Sequence, residues 1–195
     1  MSRKNLQTRT RILEAVWKLL ESGSSARMAD IAKQAGLSRQ ALYLHFPNRA
    51  DLLIATTRYL DEVKDVDARL LPSRSATSGP ARLNAFIEGW GNYIPEVYGV
   101  IKALMAIEDT DEEARNAWND RMDAVRQGCA AAVAAIERDG LLTAHLTKET
   151  ATDLLWTLLS PTNWEQLTQR CGWTQDDYIR ALKSLAHNAL LSEAR

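Results

Sequence analysis

Long apolar runs are missing from this chain, and so are the residue spacings that announce a metal or a covalent catalyst. The longest apolar run, around Cys129 to Ile136, falls far short of the roughly 18 residues a membrane helix requires. The first residues are basic and polar, without the apolar stretch of a secretory leader. A cytoplasmic protein with no membrane partner is expected. Cysteine is scarce: Cys129 and Cys171 lie far apart in no ligand spacing, so reduced thiols are expected rather than a disulfide or a zinc site. Of the three histidines, His45, His145 and His187, none has a Glu three residues earlier, which removes the ferritin-like di-iron pattern. A Gly-rich phosphate loop and a nucleophile elbow are also lacking. No cofactor, no metal and no catalytic residue are expected, and an all-α enzyme is the least favoured reading.

Strand-like alternation is rare, whereas helical periodicity runs through most of the 195 residues. Hydrophobic residues at 46% and charged residues at 25% are the balance of a globular protein able to bury a core. The net charge of −1 hides an asymmetry: residues 1–60 carry ten Lys or Arg against four acids, +6, which leaves −7 for the remainder. Affinity for a polyanion is therefore expected in the first third.

That third holds a compact motif. Residues 28–35 read as a short helix, Gly36 supplies a positive φ at no steric cost, and Ser38 is a natural N-cap for a second helix ended by Pro47. Ile31, Ala32, Ala35, Leu37, Leu42 and Phe46 would lock the two helices together, leaving Arg39, Gln40, Tyr43 and His45 mainly outward. Two helices about a tight Gly turn make a helix-turn-helix. In such a unit the second helix enters the major groove of DNA with its early residues at the base edges. Arg39 suits guanine O6 and N7, and Gln40 suits adenine N6 and N7.

The chain here resembles the TetR (tetracycline-repressor) family of bacterial transcription regulators. The resemblance rests on Ile12-Leu13 through Gly23, Asp30-Ile31-Ala32, Ala35-Gly36-Leu37-Ser38, Leu42-Tyr43, His45-Phe46, and Arg49 with Leu52-Leu53, in the family's order and spacing. Arg27, Gln40 and Arg49 stand where a hydroxyl residue, a Gly and a Lys are commoner. The resemblance implies an all-α fold, with a three-helix DNA-binding head and a helical C-terminal domain for ligand binding and dimerisation. It also implies a regulator, most often a repressor, that grips a palindromic double-stranded operator as a homodimer and is released by a small effector. Tyr43 and His45 resemble positions that meet phosphates. Arg27, Lys33 and Arg49 are further phosphate candidates, and Ser38 completes the expected DNA-binding set.

The remaining pattern divides the chain into a head at 1–47, a connecting helix at 48–71, a Pro/Ser/Gly-rich loop at 72–80 and a body at 81–195, with about nine helices in all. In the head, 1–8 reads as a polar arm and 8–21 as the first helix, with Arg9 and Arg11 either near phosphates or solvated. In the body, one helix is expected over 81–93 and another from Pro95. Thr110 with Glu113 reads as a capping box, Thr147 and Thr174 as N-caps, and Ser160-Pro161 as a kink or a cap. Trp90, Tyr93, Met105, Trp118 and Trp156 either line a cavity for a small apolar or aromatic effector or fill the core. Glu88 and Glu108 are equally compatible with a cationic ligand or plain surface. The stripe of Ile179, Leu182, Leu185, Ala186 and Ala189, with Leu155, Leu158 and Leu159, is the expected dimer interface. The alternative is a helix-turn-helix DNA-binding protein with no effector.

Overall fold

The structure, a computed structural model, describes residues 3–192. These residues are helical nearly throughout, and the only extended pairing among them is an isolated antiparallel bridge between Leu142 and Leu191. The expected all-α class holds. The chain forms two compact units, one from the residues up to Lys64 with Val97–Arg121, the other from Asp65–Glu96 with the residues from Met122 onward.

The first unit contains α1 (Arg3–Glu21), α2 (Met28–Gln34), α3 (Arg39–His45) and α4 (Arg49–Val63). Helix α1 starts five residues before the expected Thr8, because the polar segment ahead of it keeps helical spacing although it packs little; Met1 and Ser2 lie outside the described residues. Ile12, Val16 and Leu20 of α1 join Ile31, Leu42, Leu52, Leu53 and Leu60 in one buried cluster. Full burial of each such side chain stabilises by roughly 1.5–3 kcal/mol. Val100, Leu104, Ala114 and Ala117 belong to the same cluster. The expected boundary at residue 47 is thus corrected: the head's core is completed by segments 50 and more residues downstream, since three short helices leave apolar surface that only a further layer can cover.

Those segments come from two long helices, α6 (Gly79–Ile107) and α7 (Glu112–Arg138), which give their residues 97–107 and 112–121 to the first unit. Their other parts join α5 (Val66–Arg74), α8 (Lys148–Leu158), α9 (Pro161–Trp164), which continues as a π-helical turn over Glu165–Arg170, and α10 (Gln175–Leu190) in the second unit.

Three expected boundaries are corrected. The helix foreseen over 48–71 is broken: Asp65 adopts a left-handed φ of 51° and its side chain caps α5 by accepting from the Ala68 amide at 3.3 Å. Asp tolerates that conformation better than most residues and prefers caps to helix interiors, a signal masked by the continuing apolar spacing. The loop foreseen over 72–80 contracts to 75–78, with Pro72 inside α5 and Gly79 opening α6. A Cβ on Gly79 would lie 2.5 Å from the Ile136 Cα, so this glycine permits backbone contact and is no mere linker residue. Pro95 opens no new helix either, because α6 runs straight through it. Proline lacks the N–H that would meet the Gly91 carbonyl four residues earlier. The Gln175 side chain supplies the missing donor, its Nε2 2.7 Å from that oxygen.

Other caps follow the sequence. Thr147 caps α8 in a capping box with Thr150, Ser160 caps α9 with Pro161 at its start, and Thr174 caps α10. At α7, however, Asp111 takes the capping role given to Thr110, accepting from the Ala114 amide at 3.1 Å.

Candidate nucleic-acid interface

The turn between α2 and α3 is built as its sequence requires. Gly36 has φ 65°; its N–H donates to Lys33 O at 3.1 Å while that of Leu37 donates to Ala32 O at 2.9 Å. These two bonds satisfy the last carbonyls of α2 and turn the chain sharply. Ser38 Oγ then accepts from the Ala41 amide at 3.1 Å, fixing the first turn of α3. Phe46, extended ahead of Pro47, ends the helix, and Asn48 caps α4 by accepting from Asp51 N at 2.8 Å. Leu42 and Phe46 point inward, at 0% and 2% exposure. The opposite face of α3 is open to solvent: Ser38, Arg39, Gln40 and Tyr43 are exposed and His45 is half-buried.

Arg27, Lys33 and Arg39 are exposed, and among the described residues none of them makes an ion pair. They keep the donors a phosphodiester needs. Arg27 precedes α2 without a side-chain cap. Arg9 is turned back onto the head, its guanidinium 4.2 Å from the centre of the Phe46 ring. Ser38 serves first as a cap.

Arg49 is the main correction to the expected set. It is buried rather than presented to solvent, at 9% exposure. Its Nη1 lies 2.9 Å from both Asp111 carboxylate oxygens and 3.2 Å from Glu113 Oε2, its Nε donates to Ala26 O at 2.9 Å, and its Nη2 donates to Ser25 O. The guanidinium fork thus joins the start of α4, the start of α7 and the loop before α2, where Ala26 holds a left-handed φ of 48°. With its donors so engaged, Arg49 ties these three segments together rather than standing free on the surface. Burial pushes the Asp111 carboxyl up, but the Ala114 amide and the Arg49 guanidinium outweigh it and hold it below its usual range.

A second ionic group repeats the arrangement further along the same helices. Arg58 Nη2 meets Asp120 Oδ1 at 2.7 Å, and Arg121 pairs with both Asp61 and Asp120. Positions 49 and 58 on α4 therefore face Asp111, the cap of α7, and Asp120 within it, at the same interval, so the two helices run parallel and in register. Two of the ten basic residues counted in the first third are neutralised here. No local sequence signal announces the acidic partners of Arg49 and Arg58, which lie 62 residues or more away.

The candidate effector residues do not come together within either unit. Trp90, Tyr93 and Trp156 belong to the second, Met105 and Trp118 to the first, where Trp118 packs against the head's core. Trp90 and Tyr93 are each 8% exposed with ring centres 6.0 Å apart, and Trp90 Nε1 donates to Leu159 O at 2.8 Å. A surface recess of about 260 Å³ does occur in the second unit, lined by Glu88, Asn92, Asp176, Ile179, Arg180 and Lys183. Its charges are of both signs, and Lys183 already meets Glu88 at 2.7 Å.

The expected dimer stripe is also corrected. Leu155, Leu159, Ile179, Leu182 and Ala186 are all at most 8% exposed within the single chain, so they are core residues. Helical spacing identified an apolar stripe but not the neighbour that covers it. Leu158 and Ala189 are half-buried, and Leu185 remains 50% exposed, as does Leu154 at 44%. Among the described residues no cluster could hold a metal and no helix is long and apolar enough to cross a membrane. Both cysteines are free; burial pushes the Cys129 thiol up to about 12, which keeps it protonated and unreactive.

A solvent-facing second helix behind a glycine turn is the geometry of a helix-turn-helix motif. Residues 12–56 match the pattern of the bacterial regulatory proteins, tetR family. Over 64 residues the chain is 42% identical to the nucleoid occlusion factor SlmA of Marinomonas sp., a stretch covering 32% of either chain, so it spans only a third of the curated relative it matches. Its fold is similar to that of NalD of Pseudomonas aeruginosa, the secondary repressor of the MexAB-OprM multidrug efflux pump (TM-score 0.70, 22% identity, 99% of this chain and 100% of that one). It is also similar to the transcriptional regulator FadR of Bacillus subtilis in complex with stearoyl-CoA (TM-score 0.73, 14% identity, 92% and 98%).

Proposed function

We propose that this protein is a transcriptional regulator, acting as a repressor, that binds a palindromic duplex operator as a homodimer through α3 and is released by a small effector. The observation that carries the reading is the outer face of α3, where Arg39, Gln40 and Tyr43 stand free of the fold while Leu42 and Phe46 anchor the helix from behind. Arg39 and Gln40 read base edges; Tyr43, His45, Arg27 and Lys33 contact the backbone. Each good bidentate pair contributes roughly 1–3 kcal/mol of discrimination. A single seven-residue helix reaches too few base pairs for selectivity, so two copies are needed, joined through the outward side chains of α8 and α10, including Leu154, Leu158, Leu185 and Ala189.

The small apolar or aromatic effector is taken up by the second unit, where Trp90, Tyr93 and Trp156 stand on α6 and α8. Support comes from the similar fold of a regulator solved with stearoyl-CoA. Its signal travels along α6 and α7, which continue from one unit into the other, rather than along one rigid helix from 48 to 71, which Asp65 interrupts. A second reading, a DNA-binding protein without an effector, is favoured by the satisfied Trp90 N–H and the core packing of Trp118.

Selection of bound duplexes from a random pool tests the reading. The parent should enrich an inverted repeat, and Arg39→Ala with Gln40→Ala should lose that selectivity by about 10-fold or more with unchanged thermal unfolding. An unaltered footprint from the double variant would refute the role of α3. A small-molecule screen for release from the selected duplex then separates the effector reading from the second one.

A further inference from the structure

Leu44 is the most exposed large apolar side chain among the described residues, at 84%. It is not part of the helix-turn-helix core: Leu42 and Phe46 fill that role from the opposite side of α3. Four residues after Gln40 and beside the half-exposed Tyr43, it shares the outward strip on which the base-reading residues stand. At 1.5 Å per residue, Leu44 lies about 6 Å further along the helix axis than Gln40, close to two base steps. In the major groove the base edges offer nitrogen and oxygen atoms with one apolar exception, the thymine C5-methyl.

We infer that Leu44 is a specificity-determining residue that packs on a thymine methyl about two steps from the base read by Gln40. The inference rests on α3 being the groove-reading helix. It gives the strip two chemistries: Arg39 and Gln40 select by hydrogen bonding, Leu44 by shape and desolvation. Cytosine at the same position presents an amino group where Leu44 has no acceptor, so the wrong base loses its water without a replacement bond. A thymine stripped of its methyl carries no such amino group: it loses only the apolar contact and keeps every hydrogen bond of the base pair.

Uracil substitution makes that contact measurable. In the duplex enriched by the parent protein, each thymine is replaced in turn by deoxyuridine, and affinities of the parent and of Leu44→Ala are compared at one salt concentration. At one thymine in each half-site the replacement should weaken the parent about fourfold, the effect of losing one buried methyl-sized group. Leu44→Ala should bind the thymine duplex correspondingly less well and be indifferent to uracil at that position. Because Leu44 touches little within the fold, the variant should unfold at the parent's temperature. If uracil weakens parent and variant equally at every position, Leu44 reads no methyl, although the parent's selectivity would still uphold α3 as the reading helix. A parent that enriches no duplex at all would overturn both.

Discussion

Replacing Arg49 with methionine removes a charge at nearly constant length, and the structure sets the size of the effect. The Ala26 carbonyl, in a residue with no exposed surface, loses its 2.9 Å partner, and an unsatisfied buried acceptor costs about 1–3 kcal/mol. Asp111 and Glu113 lose their common counter-charge, but their side chains are 26% and 42% exposed, so water recovers part of that interaction. Asp111 also keeps the Ala114 amide. The sum falls toward the lower end of the roughly 3–5 kcal/mol seen when a buried pair is broken. A loss of about 3 kcal/mol is expected, equivalent to about 6–12 °C in a protein of this length. Arg49→Lys should lose about half as much, because an ammonium keeps the charge but lacks the fork that reaches carboxylates and carbonyls together. Urea unfolding followed by circular dichroism, without DNA, gives these numbers directly. Adding Asp111→Asn closes a double-mutant cycle that should show a coupling of about 1 kcal/mol or more. Parent-like stability combined with weakened DNA binding would refute the argument and return Arg49 to the phosphate contacts that the sequence suggests.

Two further perturbations probe the same scaffold. Burial raises the Asp120 carboxyl, but Arg58 and Arg121 outweigh it, so Asp120 and Asp111 both titrate below the ordinary value. Their contribution is complete above the unfolded carboxyl pKa of about 3.9 and is lost as pH falls through the lower folded values. Urea midpoints between pH 6 and 3 should therefore fall less steeply for Asp111→Asn with Asp120→Asn than for the parent, and equal slopes would contradict the assignment. In the second unit, Gln175→Ala should cost about 1–2 kcal/mol, since the Gly91 carbonyl and the Trp164 N–H both lose their partner. Adding Pro95→Ala supplies a backbone N–H for that carbonyl and should recover part of the loss; no recovery in the urea midpoint would show that the proline is not what leaves the oxygen free.

Local patterns determined what is local. Gly36, Ser38 and Asn48 act through bonds that close within five residues, so the turn and both flanking caps could be read from residue types alone. The alternation of buried Leu42 and Phe46 with exposed Arg39, Gln40 and Tyr43 likewise follows from helical spacing. Tertiary structure decided whatever depends on a distant partner. Arg49 looked like a free cation because Asp111 and Glu113 are more than 60 positions away, and Leu155, Leu182 and Ala186 looked like an interface because periodicity marks a buried stripe without saying what buries it. Pro95 looked like a helix start because a one-dimensional pattern contains no sign of the Gln175 amide that replaces its missing donor. The recognition helix was legible because its geometry is complete within itself; the core that supports it was not, because that core exists only once residues 97–121 have folded back against the first four helices.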